Sequence, residues 1–268
     1  MSAQPEGALL RSFERALECG ELHMVYQPKV RMDTGELTRL EALVRWDEPD
    51  LGPVEPSRFV PLAEKHGLIG PLTDWGRRTT LSQYRKWSEQ GLDTHVAFYI
   101  SAISLQSLDF PDLVERVCKE LDVPTDRLVL ELTEGATQPL IKLMDTLTRF
   151  RIKGIGLAID DFGTGYSSLM QLRQLPFTEV KIDRLFVKDL PAAHDSCVIV
   201  KAIIDLAHGL GLVATAEGVE TPEQLRFLRS LRCDVAQGYI VARPLEPDSL
   251  GAWIEEFAGR WPELIGEA

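Results

Sequence analysis

The sequence predicts an α/β fold, a modified TIM-type (β/α)8 barrel with one antiparallel strand near the amino terminus. Strand-like and helical patterns alternate along most of the chain, which is typical of a parallel sheet with helices packed around it. The length of 268 residues suits one such barrel, because these folds commonly take about 250 residues. Charged residues also recur at the ends of the predicted strands, where barrels of this type carry their active sites.

Runs of β-branched and apolar residues predict eight strands. They span residues 24–30, 38–44, 95–101, 128–132, 155–159, 179–182, 212–216 and 235–239. Apolar residues at helical spacing predict helices at residues 57–66, 72–90, 111–121, 139–150, 167–172, 195–210 and 222–231. Thr221 precedes Pro222 at the start of the last of these helices, a typical beginning because the hydroxyl can cap the helix and proline needs no amide hydrogen there.

The first two predicted strands are joined only by the segment MDTGE, residues 32–36. A connection this short cannot hold a crossover helix, so the two strands should pair antiparallel as a hairpin. No linker, low-complexity tract or internal repeat is recognisable. We therefore expect a flexible segment at residues 1–9 and a single barrel domain at residues 10–268, which begins with a short helix at residues 13–17.

The composition limits the classes of ligand and location. A formal net charge of -12 disfavours binding to DNA or RNA, because affinity for these polymers depends on many Lys and Arg contacts to phosphates. No apolar run approaches the roughly 18 residues of a membrane span, so we expect no membrane insertion. The four cysteines lack CxxC spacing and no secretory leader is recognisable, which predicts reduced, buried thiols in a cytoplasmic protein.

Charged side chains cluster at the predicted strand ends. They are Glu41, Glu131, Asp160, Asp161, Lys181 and Glu217. In a parallel barrel these groups would meet at one rim, where the carboxylates repel one another unless cations bind. The pattern favours a metal-dependent hydrolase or a descendant of one. Taken singly, Glu41 could be an exposed strand acid and Lys181 a structural ion-pair partner.

Several motifs in consistent order resemble the EAL family. They are YQPKV at Tyr26, LEALVRW around Glu41, FVPLAEKHGLI at Phe59, ELTEG at Glu131, IDDFGTGYSSL at Ile159, LPFTEVKID at Leu175, AEGVET at Ala216 and QGYIVARPL at Gln237. The resemblance covers nearly the whole chain. It implies a barrel with one antiparallel strand, binding of cyclic di-GMP and, in active members, its hydrolysis to linear pGpG with Mg or Mn.

The resemblance also implies roles for individual residues. Glu41, Glu131 and Asp160 resemble the ligands of one metal ion. Asp160 would bridge to a second ion, which Asp161 and Glu217 complete. Lys181 matches the lysine that orients the attacking water, and Glu217 could also act as a base. The remaining matches are Gln27, Leu43, Arg45 and Gln237 for nucleotide binding or site organisation, and Glu134 for steadying the DDFGTGYSSL loop.

One position departs from the EAL pattern. Active members carry an asparagine ligand in a VNxS-like strand, and the matching stretch here is FYIS, with Tyr99 at the asparagine position. Alternation along VAFYIS should point the phenol into the barrel mouth. A neutral phenol is a poorer magnesium ligand than an amide oxygen. Two functions therefore remain open: a phosphodiesterase weakened by Tyr99, which we favour, and a catalytically impaired receptor or regulatory module for cyclic di-GMP.

The resemblance finally suggests how the domain is assembled. The DDFGTGYSSL loop, which begins at Asp160, is associated with a homodimer in the family. A sensor or cyclase domain could be linked to this chain in a longer parent protein.

Overall fold

The computed structural model describes residues 6–133, 140–163 and 169–266. Its helices are Glu6–Cys19 (α1), Pro56–Lys65 (α2), Ile69–Glu89 (α3), Phe110–Glu120 (α4), Leu140–Ile152 (α5), Leu169–Gln174 (α6), Arg184–Val187 (α7), His194–Gly209 (α8), Pro222–Ser230 (α9) and Leu250–Ile265 (α10). Its strands are Leu22–Arg31 (β1), Leu37–Glu48 (β2), Gly52–Val54 (β3), His95–Tyr99 (β4), Leu128–Thr133 (β5), Gly156–Phe162 (β6), Glu179–Ile182 (β7), Val213–Ala216 (β8) and Val235–Ala236 (β9).

The strands form a closed barrel. Their order is β1-β9-β8-β7-β6-β5-β4-β2, and β1 closes the ring by pairing with β2. Strand β1 runs antiparallel to both of its neighbours, while the pairs from β2 through β4 to β9 are parallel. The predicted modified (β/α)8 barrel and its antiparallel first strand are therefore confirmed. The short β3, which the sequence did not predict, pairs antiparallel with the far end of β2.

Helix α1 is longer than predicted and packs on the barrel through an aromatic cluster. The ring of Phe13 lies 5.4 Å from that of Trp46 and 5.3 Å from that of Phe59, and all three side chains are buried. This apolar contact holds a helix that would be marginal in isolation. Because α1 begins at Glu6, it includes part of the stretch predicted to be flexible; the proposed domain division itself stays a prediction.

The inside of the barrel combines small apolar side chains with buried charges. Ala97, Val129 and Ala158 form one compact interior cluster. Interiors of parallel barrels are normally filled by bulky branched side chains. Two lysines are also buried: Lys29 is 0% exposed and Lys181 is 1% exposed.

Two local predictions have different outcomes. The start of α9 is confirmed: the Gln224 backbone amide donates to Thr221 Oγ1 at 3.2 Å, and the Thr221 backbone amide donates to Gln224 Oε1 at 3.0 Å, a reciprocal capping box.

The prediction of four buried cysteines is wrong for two of them. Cys19 ends α1 and is exposed, and Cys197 in the first turn of α8 is half-buried.

Candidate active site

The carboxyl ends of the barrel strands bring the predicted charged residues together. Lys181 Nζ on β7 lies 2.6 Å from Glu131 Oε2, 2.7 Å from Glu217 Oε1, 3.0 Å from Asp160 Oδ1 and 3.5 Å from Glu41 Oε2. These acids come from β2, β5, β6 and the residue that follows β8. The predicted convergence at one rim is present, with a lysine rather than a carboxylate at its centre.

A break in strand regularity allows two successive aspartates to face the same site. Side chains normally alternate between strand faces, so Asp160 and Asp161 should point in opposite directions. The pairing of β6 with β7 shifts register between Ile159 and Phe162, and Asp161 has a φ of 53°. Its amide donates to Asp160 Oδ1 at 2.9 Å. The left-handed conformation is uncommon outside glycine but is tolerated by aspartate, and such outliers cluster at functional sites.

Sequence reasoning missed Lys29. This residue lies on β1, two positions after Gln27, and its Nζ contacts Glu131 Oε1 at 2.5 Å and Glu41 Oε2 at 3.2 Å. Both oxygens of Glu131 thus receive an ammonium group, one from Lys29 and one from Lys181. The sequence could have indicated this residue. Alternation along β1 places Lys29 on the same strand face as Gln27, in a segment otherwise rich in apolar residues.

Gln237 ties the antiparallel strand to the acidic cluster. Its Nε2 donates to Glu41 Oε2 at 2.8 Å and to Gln27 Oε1 at 3.0 Å, while Gln27 Nε2 donates to the Ala242 carbonyl at 3.0 Å. Gly238 follows with a φ of 156°, and a Cβ there would overlap the backbone of Val219. Hydrogen bonds thus link both glutamines to Glu41, directly or through each other; their role in nucleotide binding or site organisation stays a prediction.

The electrostatics of the cluster are strongly perturbed. Burial opposes the charge on Lys181, but the surrounding carboxylates raise its pKa well above the ordinary value. Burial likewise acts against ionisation of Glu41, yet Lys181 and Lys29 lower its pKa overall. Burial, followed by the neighbouring Glu41, raises the pKa of Glu131. For Glu217, burial exceeds the attraction of Lys181 and raises the pKa to about 8.

One part of the cluster brings three carboxylates close enough to share a metal ion. Asp160, Asp161 and Glu217 each offer a carboxylate oxygen, and these three atoms lie within 4.8 Å of one another. Burial and the adjacent Asp160 raise the pKa of Asp161 to about 6. Hard oxygen ligands crowded in this way fit Mg or Mn. Glu41 and Glu131 offer further oxygens. Lys181 contacts carboxylates of both groups, whereas Lys29 contacts Glu41 and Glu131.

A cleft of about 580 Å³ opens above the cluster. It is lined by Gln27, Glu41, Asp161, Asp183, Arg184, Leu185, Glu217, Gly218, Glu220, Gln237, Gly238 and Tyr239. The volume is within the range of small-molecule sites, roughly 300–1,000 Å³. Tyr239 is half exposed and gives the cleft an aromatic face, and the Arg243 guanidinium lies 4.2 Å from the centre of its ring. The sequence interpretation singled out neither residue.

The other predicted site residues lie further out. Arg45 stands on the same face of β2 as Glu41, roughly 13 Å further along the strand. Its Nη1 donates to the Val44 carbonyl at 2.9 Å. Leu43 lies between Glu41 and Arg45 along the strand and is half-buried. Neither Leu43 nor Arg45 lines the cleft itself. Glu134 is outside the described residues.

Tyr99 is adjacent to the cluster along the sheet. It pairs in register with Glu131 of β5 and is 37% exposed. It also borders a small cavity of about 70 Å³ with Val44 and Arg77. Ala97, two residues earlier, faces the barrel interior. The place of the tyrosine next to Glu131 agrees with the alignment of FYIS; its effect on metal binding stays a prediction.

Comparison with known families matches residues 10–244 to the EAL domain. The chain belongs to the EAL family. It is 39% identical over 248 residues to the cyclic di-GMP phosphodiesterase PA2567 of Pseudomonas aeruginosa, covering 92% of this chain and 42% of that protein. It is 37% identical to the cyclic di-GMP phosphodiesterase RocR of the same organism, covering 86% of this chain and 59% of RocR. This EAL chain thus spans about half the length of these relatives.

Solved structures of EAL domains share the fold. The PaMucR phosphodiesterase in its c-di-GMP complex superposes with a TM-score of 0.87 at 38% identity, covering 91% of this chain and 99% of that one. The EAL enzyme Bd1971, in a form with cAMP and cyclic-di-GMP bound, gives a TM-score of 0.88 at 30% identity over 94% of this chain and 69% of that one. Among the described helices of this EAL domain, none has the length and apolar character needed to cross a membrane.

Proposed function

We propose that this EAL domain hydrolyses cyclic di-GMP to linear pGpG. The observation that carries the proposal is the contact of Lys181 with four carboxylates at the floor of a cleft, at the end of the barrel where such folds carry their catalytic groups. The named phosphodiesterases among its relatives and the c-di-GMP complex of a structural neighbour support the same activity.

The reaction requires a water to attack one phosphorus atom while the bond from phosphorus to a ribose 3′ oxygen breaks. The ribose oxygen leaves with a proton, and the opened dinucleotide keeps a 5′ phosphate. We assign Lys181 to orient the water and to offset negative charge on the phosphoryl oxygens. Glu217, whose pKa is raised to about 8, can take a proton from the water near neutral pH.

We propose Mg or Mn as cofactor, with two ions when the domain is active. Asp160, Asp161 and Glu217 would hold one ion, and Glu41, Glu131 and Asp160 the other. Bound divalent ions lower the pKa of a coordinated water and neutralise charge on the phosphodiester. The close approach of the Asp160, Asp161 and Glu217 oxygens supports the first of these sites.

The substrate would lie along the cleft and the neighbouring face of β2. Gln27 and Gln237 would position one part of the nucleotide near the acids, and Leu43 and Arg45 would contact it further along the strand. The guanidinium of Arg45 suits a phosphate or a guanine acceptor. Glu134 would steady the loop after β6. These contacts suit a small anionic ligand. A nucleic-acid polymer is disfavoured, because the net charge of the chain is -12.

The setting of the domain follows from the same proposal. Cyclic di-GMP is a cytoplasmic second messenger, so we propose a cytoplasmic location. A homodimer through the segment after Asp161 and a linked sensor or cyclase domain in a longer parent protein complete the proposal. The partial coverage of PA2567 and RocR supports a longer parent.

Incubation of the purified chain with cyclic di-GMP and Mn, followed by chromatographic separation of the products, tests the activity. We expect pGpG to form, EDTA to stop the reaction, and Glu217→Gln to reduce the rate by about 100-fold, the lower range for general acid–base catalysis. Glu255→Gln on the exposed side of α10 is the matched control and should leave the rate unchanged. A Glu217→Gln rate equal to wild type would reject the assignment of this site.

A cyclic di-GMP receptor is the second candidate, and Tyr99 is the observation that favours it. Tyr99 pairs in register with Glu131 of β5, at the position that the resemblance assigns to an asparagine ligand. Titration calorimetry with cyclic di-GMP and Ca, in the absence of turnover, would detect binding. Saturable binding without pGpG formation in Mn would select the receptor, whereas absence of both would reject both functions.

A further inference from the structure

Lys29 is a buried cation inside the candidate site with no role in the proposed reaction. Its side chain is 0% exposed, and its Nζ lies 2.5 Å from Glu131 Oε1 and 3.2 Å from Glu41 Oε2. A buried ammonium is costly to desolvate and persists where carboxylates compensate for it. These two carboxylates are also the ones assigned above to a metal ion.

The Lys29 ammonium group contacts the same two carboxylates that are assigned to the ion. A divalent ion held by Glu41 and Glu131 would need oxygens at roughly 2.0–2.6 Å from its centre. Lys29 occupies one oxygen of Glu131 and contacts one oxygen of Glu41, while Lys181 occupies the second oxygen of Glu131. Each carboxylate oxygen can accept more than one contact, so an ion bound to Glu131 would lie close to both ammonium groups and would be repelled by their charge.

The net charge of the acidic cluster also indicates that Lys29 opposes cation binding. With all groups ionised, the five carboxylates at the floor of the cleft face two ammonium groups, which leaves a surplus of three negative charges. Without Lys29 the surplus would be four. Among the described residues, the carboxylates in direct contact with this lysine are Glu41 and Glu131, so its effect on a cation should be greatest there and smaller at the Asp160, Asp161 and Glu217 group.

We infer that Lys29 is a positioning residue: it holds the Glu41 and Glu131 carboxylates together without metal and competes with a divalent cation for them. The inference rests on the proposed function only in assigning Glu41 and Glu131 to a metal ion. It makes the two ion sites unequal. The Asp160, Asp161 and Glu217 group binds first and tightly, and the site shared with Lys29 fills at higher ion concentration.

The full chain is titrated with Mn, and electron paramagnetic resonance measures the concentration of free Mn at each step. The titration gives the dissociation constants of both ion sites without substrate. In wild type we expect a tight and a weak class of site. Lys29→Met keeps the length of the side chain and removes its charge, so the dissociation constant of the weak class should fall by about tenfold or more. Lys29→Arg keeps the charge and should retain the weak class. Lys201→Met removes an exposed lysine and is the matched control.

Thermal unfolding gives an independent measurement. Lys29→Met should unfold at a lower temperature than wild type in EDTA and should gain more from added Mn than wild type does. An equal loss of stability with and without Mn, together with an unchanged Mn titration, would overturn the inference and leave a purely structural lysine. Because neither measurement uses cyclic di-GMP, a chain that fails to hydrolyse the nucleotide still decides the point.

If Lys29→Met does not fold in EDTA, the effect of added Mn on its folding becomes the test. Recovery of the fold with Mn supports the inference, because metal then replaces the missing cation. If Mn does not restore the fold, Lys29→Gln provides the second test: a tighter weak class supports the inference. A wild-type titration in Lys29→Gln, or failure of that variant to fold with Mn, overturns it.

Discussion

Replacement of Lys181 by methionine tests whether the cation at the centre of the acidic cluster stabilises the metal-free fold. Lys181 is 1% exposed and has carboxylate oxygens at 2.6, 2.7, 3.0 and 3.5 Å. Removal of one partner of a buried ion pair typically costs about 3–5 kcal/mol, because the remaining charge stays buried without compensation.

The structure places the expected cost at the lower end of that range. Lys29 still contacts Glu131 and Glu41 after the substitution, and Glu217, with a pKa of about 8, is mostly protonated at neutral pH and needs little compensation. Asp160 then carries most of the uncompensated charge. We expect a loss of about 3 kcal/mol in the free energy of unfolding, equivalent to a fall of roughly 6–12 °C in Tm for a protein of this size.

Urea unfolding and differential scanning fluorimetry in EDTA near neutral pH measure the effect. Mn should recover part of the loss, because divalent ions compensate the same carboxylates. Lys201→Met, which breaks only an exposed pair with Asp205, should stay within about 0.5 kcal/mol of wild type. A Lys181→Met protein as stable as wild type in EDTA would refute the reasoning, since the buried acids would then not need this cation.

Three further predictions address the ligand set, the pH dependence and the backbone. Tyr99→Asn should tighten Mn binding and raise hydrolysis by roughly tenfold or more, measured by Mn titration and pGpG formation; an unchanged rate in a measurably active wild type would contradict the alignment of FYIS. Mn affinity should rise with pH, because Asp161 and Glu217 have pKa values raised to about 6 and about 8 and must lose protons to bind the ion; calorimetric titration across this range measures the slope, and a flat profile would argue against the assigned ligands. Gly238→Ala should destabilise the fold by about 3 kcal/mol in urea unfolding, because its φ of 156° and its contact with the Val219 backbone leave no space for a methyl group. Gly259→Ala, in α10 with open space around it, should instead be neutral or stabilising by up to about 1 kcal/mol, and equal effects of the two substitutions would count against the backbone argument.

The sequence predicted the barrel well because its strands carry strong and repeated signals. Apolar runs of strand length alternate with helical spacing, and the short connection between the first two strands required a hairpin. Short elements were harder. The strand β3 at Gly52–Val54 and the helix α7 at Arg184–Val187 contain three and four residues, too few for either periodicity to be recognised.

The acids and Lys181 of the candidate site were among the predicted residues, whereas Lys29 and the backbone conformation at Asp161 were missed. Strand ends pointed directly to Glu41 and Glu217, because the carboxyl ends of parallel strands share one rim. Lys29 lies deeper, two residues from Gln27 on an antiparallel strand that runs into the barrel from the other direction, so a search of strand ends passed over it. The bulge at Asp161 depends on a register shift between two strands, which alternation along one strand does not reveal.

Buried charge alone does not identify the active end of this barrel. At the opposite end, Arg39 pairs with the buried Glu179, which also accepts from the Thr215 hydroxyl, and a cleft of about 600 Å³ lies there. The cleft beside the acidic cluster has nearly the same volume, about 580 Å³. The difference is the sign of the charge. Four arginines and two aspartates line the cleft near Glu179. The acidic cluster instead has five carboxylates against two lysines, a surplus of three negative charges when all groups are ionised. A fold that keeps such a surplus is poised to bind cations, and this property, rather than cavity size, distinguishes the candidate active site from its structural counterpart.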